Sequence, residues 1–138
     1  MASIITEVEI DARPEDVWAA LRDFGAVHER LVPGFVVDCR LEGDHTRVVT
    51  FFNGAVAREV LIGIDDTRRR LAYSVVESPS GFAHNSASAQ VFAEGGDRSR
   101  FVWITDLLPN ELGTRTAELM ERGIAVIKKT MESQTANR

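Results

Sequence analysis

The spacing of apolar and polar residues changes along the chain and divides it into elements. Residues 3–11 alternate loosely, which predicts a first strand. Ala12-Arg13-Pro14-Glu15-Asp16 predicts the start of a helix, because proline suits the first turn and acids suit a helix N-terminus. Residues 17–21 give that helix one apolar face. Asp23-Phe24-Gly25 separates it from a second short helical piece, residues 26–31.

Residues 35–108 read as a series of strands. Their turn signals are Glu42-Gly43-Asp44, Asn53-Gly54, Asp65-Asp66, Pro79-Ser80-Gly81 and Glu94-Gly95-Gly96-Asp97. This spacing predicts five or six antiparallel strands in sequential order, hence six or seven with the first strand. Asn53-Gly54 predicts a two-residue type I′ hairpin, in which both central residues have positive φ.

After Asn110, the predicted N-cap, the pattern becomes that of one long helix whose apolar stripe includes Met120 and Ile124. The polar residues 134–138 predict a flexible tail, which leaves residues 1–133 as a single domain. The predicted fold class is α+β. Because one helix cannot touch every part of a strongly curved sheet of six to seven strands, we expect a cavity between them.

Composition narrows the class of protein. The chain has 138 residues, 44% of them apolar, which is enough for one domain with its own core. The formal net charge of −5 argues against a nucleic-acid partner. A single cysteine, Cys39, and three histidines offer no disulfide or zinc cluster, so we expect no metal and no cofactor. The start of the chain lacks a signal peptide or membrane-span pattern, which predicts a cytoplasmic protein.

Two predicted strands carry small residues on one face. The first such face holds Ala55, Ala57, Glu59, Leu61 and Gly63, and the second holds Asn85, Ala87, Ala89, Val91 and Ala93. Small side chains fill little space, which favours a cavity beside them. Periodicity alone leaves open the reverse arrangement, with Val56, Val60, Ile62 and Ile64 in the core. If the small face is inside, this apolar row is exposed, and Val56, Val60 and Ile62 form a candidate homodimer surface.

The order of elements and several local sequences resemble the START-like superfamily, also called SRPBCC, helix-grip or pollen-allergen-like, and within it the polyketide cyclase/dehydrase-type subfamily. The sequences that carry the resemblance are residues 12–18, Asp23-Phe24-Gly25, Arg58-Glu59-Val60-Leu61 with Asp65-Asp66, residues 70–76, and Val102-Trp103. The resemblance implies a helix-grip fold, with two short helices after the first strand and a curved antiparallel sheet wrapped around the C-terminal helix.

The resemblance also implies a hydrophobic cavity. Family members bind lipids, sterols, polyketides, plant hormones or other small apolar molecules, and some catalyse cyclisation or dehydration there. The position matching Glu59 directs its carboxylate into the cavity in related hormone receptors, which favours the small face inside. The short Asn53-Gly54 turn departs from the longer gate loop of those receptors, which argues against receptor-type gating.

Two residues are candidate acid–base groups. Glu59, which we expect to be a lone acid among apolar side chains, is a candidate general acid or base. The alternatives are that it anchors a ligand's polar group or water, or that it pairs with another residue. His84 lies near the expected cavity mouth and is the second candidate. Strict alternation, however, directs Asn85 rather than His84 to the alanine-rich face.

Candidate ligand-binding residues come from four predicted strands and the long helix. They are Glu59, Tyr73, Asn85, Ala87, Trp103, Thr105, Thr116, Met120 and Ile124. Tyr73 and Trp103 each offer a flat wall and one hydrogen bond, and the three helical residues offer a cavity floor. Ordinary core packing is the alternative for the aromatic and helical residues.

The preferred prediction is a domain that binds a small hydrophobic molecule, a lipid, polyketide or aromatic metabolite, between sheet and helix. The first alternative is a polyketide cyclase/dehydratase-type enzyme that uses Glu59 or His84 as acid or base. The second is a protein-interaction module that acts as a homodimer through Val56, Val60 and Ile62.

Overall fold

The computed structural model describes residues 2–136 and contains one seven-stranded antiparallel sheet in that range. The strands are β1 (Ala2–Ile10), β2 (Val36–Glu42), β3 (Thr46–Phe51), β4 (Val56–Asp65), β5 (Arg70–Glu77), β6 (His84–Ala93) and β7 (Ser99–Leu108). Their order in the sheet is β1-β7-β6-β5-β4-β3-β2. β2 to β7 therefore follow one another as neighbours, as predicted, and β7 also pairs with β1.

The helices follow the predicted order. They are α1 (Pro14–Arg22), a 3-10 turn (Phe24–Ala26), α2 (Val27–Arg30), a second 3-10 turn (Asn110–Leu112) and α3 (Gly113–Ala136). Pro14 stands in the first turn of α1, as expected. The predicted N-cap role of Asn110 is wrong, because Asn110 opens the 3-10 turn that precedes α3.

α3 continues through Ala136, so the predicted tail, residues 134–138, overlaps the helix at residues 134–136. Residues 137 and 138 lie outside the described residues. α3 buries Met120, Ile124, Ile127 and Met131. No helix in residues 2–136 is both long and apolar enough to cross a membrane.

The small face of β4 points inward at Ala57 and Glu59, whereas the predicted inward position of Gly63 is wrong, because a β-bulge between Leu61 and Gly63 leaves Gly63 exposed. Ala57 and Glu59 are buried, whereas Val56 and Ile62 are 47% and 65% exposed and Val60 is half-buried. This resolves the choice that periodicity left open. The apolar outer row exists as expected, and a homodimer built on it stays a prediction.

The hairpin between β3 and β4 differs from the predicted type I′ turn. Gly54 N donates to Phe51 O at 2.9 Å, and Phe51 N donates to Ala55 O at 2.8 Å. Gly54 has a φ of 85°, whereas the φ of Asn53 is not positive. This is the pattern of a three-residue loop that ends in a glycine bulge. The loop sets the register in which Arg47 lies directly opposite Glu59.

Asp66 links the turn between β4 and β5 to α1 through side-chain hydrogen bonds. One oxygen, Oδ1, accepts hydrogen bonds from Arg22 Nε at 2.8 Å and from Trp18 Nε1 at 3.0 Å. The Arg22 guanidinium, followed by the Trp18 N–H, lowers the pKa of Asp66. The carboxylate therefore stabilises the fold in its charged form.

We expect Asp66→Asn to lower the denaturant midpoint at pH 7, because the amide keeps an acceptor for Trp18 but loses the charge that attracts Arg22. Since the folded-state pKa lies below the unfolded value of about 3.8, the contribution is complete above that value. It disappears as pH falls through the folded-state pKa. Urea unfolding of both proteins from pH 7 down to pH 2 checks this. An equal difference in midpoint at both ends of that range would contradict it.

Candidate functional site

Two neighbouring cavities lie in the interior between the sheet and the helices. The larger has a volume of about 130 Å³ and the smaller about 80 Å³. Five residues line both: Phe35, Phe51, Glu59, Tyr73 and Trp103. A wall of side chains, not of backbone elements, therefore separates the two cavities.

The larger cavity gathers most of the predicted ligand-binding residues. Those that line it are Glu59, Tyr73, Asn85, Ala87, Trp103, Thr105, Thr116 and Met120. β4, β5, β6 and β7 contribute one wall, and α3 contributes the opposite one. Ala57 and Ala87 line the sheet side of the cavity, and their short side chains leave space there, as the sequence indicated.

Two predicted site residues do not line either cavity. His84 is exposed at the start of β6, because alternation along the strand turns the next residue, Asn85, inward. Ile124 is 4% exposed and packs in the hydrophobic core. It lies about one helical turn beyond Met120, past the end of the larger cavity.

Glu59 is paired, contrary to the expectation of an isolated acid. Its Oε1 accepts a hydrogen bond from Arg47 Nε at 2.8 Å, and both side chains are 8% exposed. Opposite residues on paired antiparallel strands point to the same face, which brings the two charges together. The buried carboxylate therefore has a buried countercharge.

Arg47 is held from three further directions. Its Nη1 donates to the Phe24 carbonyl at 3.2 Å. Its guanidinium carbon lies 4.0 Å from the centre of the Phe24 ring and 5.3 Å from that of Tyr73, within the range of cation–π attraction. Arg47 thus joins β3, the 3-10 turn after α1 and β5. Its side chain lines the smaller cavity.

Tyr73 and Trp103 form a hydrogen-bonded aromatic pair in the wall between the cavities. Trp103 Nε1 donates to the Tyr73 hydroxyl oxygen at 3.1 Å. Burial, and then the nearby Glu59 carboxylate, raise the pKa of Tyr73, so the phenol stays neutral. It can donate its own proton to a hydrogen-bond acceptor in either cavity.

Two buried polar atoms of the larger cavity lack a partner among the described residues. They are the side-chain oxygens of Asn85 and Ser78. Asn85 is 5% exposed, and its backbone carbonyl, unlike its side-chain oxygen, accepts a hydrogen bond from Ser74. An unpaired buried polar atom costs about 1–3 kcal/mol. The Asn85 amide is therefore available to hydrogen-bond a molecule in the cavity.

Gly123 of α3 lies against the wall between the cavities. A Cβ placed on it would come within 3.1 Å of both Phe35 Cε2 and Trp103 Cζ3. Glycine at this position lets the two rings approach the helix backbone. The pattern of apolar residues along α3 gave no indication of this close approach.

Arg47 and the smaller cavity were missed by sequence reasoning. The sequence did contain a signal for Arg47: it precedes the apolar residues Val48-Val49 and shares a strand face with Val49 and Phe51. Within residues 2–136, no group of three or more His, Cys, Asp or Glu side chains lies close enough to hold a metal ion.

Comparison with known proteins identifies the family and the fold. A family model described as polyketide cyclase / dehydrase and lipid transport matches residues 1–133. A search of the curated proteins found no match. An uncharacterised protein from Bacillus thuringiensis has a similar structure, with 19% identity and a TM-score of 0.85 over 94% of this chain and 98% of that one.

Two further solved structures are similar. A START superfamily protein from Mycobacterium smegmatis is 14% identical, with a TM-score of 0.74 over 98% of this chain and 97% of that one. Norcoclaurine synthase from Thalictrum flavum, solved with dopamine and hydroxybenzaldehyde, is 18% identical, with a TM-score of 0.74 over 99% and 87%. At these identities the likeness shows the fold alone.

We expect Arg47→Met to lower the free energy of unfolding by about 3–5 kcal/mol, because it leaves the Glu59 carboxylate buried without a countercharge. Glu59→Gln should cost about 3 kcal/mol, because it leaves the buried Arg47 charge uncompensated. The cost is at the lower end because the amide still offers Arg47 a hydrogen-bond acceptor. The double variant R47M/E59L should lose much less than the sum of R47M and E59Q. Urea unfolding measures all three.

The control is Arg58→Met, which breaks two more exposed ion pairs, that of Arg58 Nε with Glu77 Oε2 at 3.0 Å and that of Arg58 with Glu42. Its cost should stay below about 1 kcal/mol. Equal losses for R47M and R58M would contradict the importance given to the buried pair.

We expect Gly123→Ala to lower the free energy of unfolding by about 1–3 kcal/mol, because the new methyl group displaces the Phe35 and Trp103 rings. Helix propensity alone favours alanine over glycine by about 1 kcal/mol. Ala125→Gly, at an exposed position of α3, measures that propensity in the opposite direction. If G123A instead gained what A125G loses, the tight packing at Gly123 would be ruled out. Thermal and urea unfolding give both values.

Proposed function

The chain belongs to the polyketide cyclase/dehydrase and lipid transport family, and on that premise we propose that it binds a small, mainly apolar molecule in the larger cavity. Proteins of this family generally bind hydrophobic ligands. The walls of the cavity are suited to such a molecule, with alanines on the sheet side and Leu119 and Met120 on the helix side. Met is well adapted to contact varied apolar surfaces.

The observation that carries the proposal is the Asn85 amide. It is almost fully buried, its side-chain oxygen has no partner in the described part of the chain, and it lines the larger cavity. A protein that never filled this cavity would be more stable with an apolar residue at position 85. A bound molecule with a hydroxyl, amine or amide group would supply the missing hydrogen bond.

Binding is favoured over acid–base catalysis by the surroundings of the two candidate acid–base groups. Glu59 is hydrogen-bonded to Arg47, which compensates its charge, and His84 is exposed outside the lining of both cavities. A cyclase or dehydratase activity that uses either residue stays a prediction of the sequence, as do a cytoplasmic location and a homodimeric assembly.

We expect the fluorescent apolar probe N-phenyl-1-naphthylamine to bind with one site per chain and to gain fluorescence in the cavity. Ala87→Leu should weaken this binding at least about tenfold, because the longer side chain occupies space on the sheet wall. Fluorescence titration and isothermal calorimetry measure affinity and stoichiometry. Native mass spectrometry of the protein as purified would detect a retained natural ligand.

Ser86→Leu is the matched control, since it adds the same side chain to the same strand on the opposite face. Its affinity should equal that of the unchanged protein. Binding that A87L and S86L weaken equally, or that neither weakens, would place the probe elsewhere on the molecule and contradict the proposal.

A further inference from the structure

The charges around the larger cavity do not cancel. Glu59 and Arg115 are the charged residues that line it, and Glu59 is already compensated by Arg47. Arg115 forms no ion pair or hydrogen bond with any residue in the described range. When Arg47 is included, the site carries one uncompensated positive charge, and this charge lies at Arg115.

Arg115 also occupies an unfavourable place for a cation. It is the third residue of α3, whose first turn contains no acid. Glu111, in the 3-10 turn directly before α3, forms no ion pair with Arg115. The N-terminus of a helix carries a partial positive charge and favours acidic side chains, not basic ones. A residue that breaks a local rule without a compensating contact is often one that serves a site.

Arg115 and Asn85 lie at different depths of the same cavity. Arg115 is exposed, beside the loop that carries Ser78 and Ser80, whereas Asn85 is buried. Apolar side chains, among them Trp103 and Met120, complete the lining. The site therefore offers a cation next to solvent, an apolar middle and an unpartnered amide inside.

We infer that the ligand is an amphipathic monoanion, an organic acid whose acidic group meets the Arg115 guanidinium at the mouth while its apolar body fills the cavity toward Asn85. This inference rests on the proposed function and specifies the class of ligand. A guanidinium binds a carboxylate or similar oxyanion through two parallel hydrogen bonds, which holds the acidic group at the mouth. The apolar body and the hydrogen-bond donor that pairs with Asn85 then lie inside the cavity. A neutral lipid or sterol would not use this charge.

Two fluorescent probes test the charge directly, because they share their aromatic groups and differ by one sulfonate. They are 8-anilinonaphthalene-1-sulfonate, the anion, and N-phenyl-1-naphthylamine, its neutral counterpart. We expect the unchanged protein to prefer the anion, and Arg115→Gln to weaken anion binding about tenfold while leaving the neutral probe unaffected. The preference of the unchanged protein should shrink as sodium chloride is raised.

Lys129→Gln is the control, since it removes one positive charge from an exposed position of the same helix, about 21 Å farther along its axis. It should leave both affinities unchanged. If both probes bind, compete and are weakened by A87L, but R115Q leaves the ratio of their affinities unchanged, the inference is overturned and the proposed function stands. If neither probe binds the unchanged protein, the proposed function fails and the inference fails with it.

Discussion

The buried ion pair of Arg47 and Glu59 is the interaction on which the interior of this fold depends. Two charges taken out of water are tolerated only when each keeps a partner and further hydrogen bonds. Here the pair spans β3 and β4, and Arg47 also binds the carbonyl of Phe24 in the 3-10 turn after α1. One guanidinium therefore connects the β3–β4 pair, the break between the helices and, through the Tyr73 ring, the wall that separates the two cavities.

Sequence reasoning could place Glu59 but not its partner, and the reason is the length of one turn. Alternation and the small neighbours of Glu59 predicted the inward face correctly, because strand geometry is local. The partner depends on the hairpin at Asn53-Gly54. A two-residue loop would have set Val48 opposite Glu59, whereas the observed three-residue loop sets Arg47 there. A difference of one residue in the loop thus turns an isolated acid into half of an ion pair.

The long helix is a second case in which a local sequence pattern predicts only part of the structure. Its apolar stripe predicted that Met120 and Ile124 would be buried, and both are. Burial did not reveal that Met120 faces a cavity while Ile124 packs in the core. Between these two positions lies Gly123, where Phe35 and Trp103 approach the helix backbone closely. The residues that close the space come from remote elements, so periodicity within one helix cannot distinguish a cavity wall from a packed core.

Pairing Glu59 with Arg47 also changes what the cavity can recognise. An isolated Glu59 would have made the interior negative and favoured a cationic or neutral ligand. Because Arg47 and Glu59 together are neutral, the net charge of the site is instead that of Arg115. The chain as a whole has a formal charge of −5, which opposes an anion at long range. At physiological ionic strength, however, exposed charges are largely screened beyond about 8 Å. A ligand already at the mouth is therefore governed by Arg115 rather than by the net charge, so an acidic protein can still select an acid.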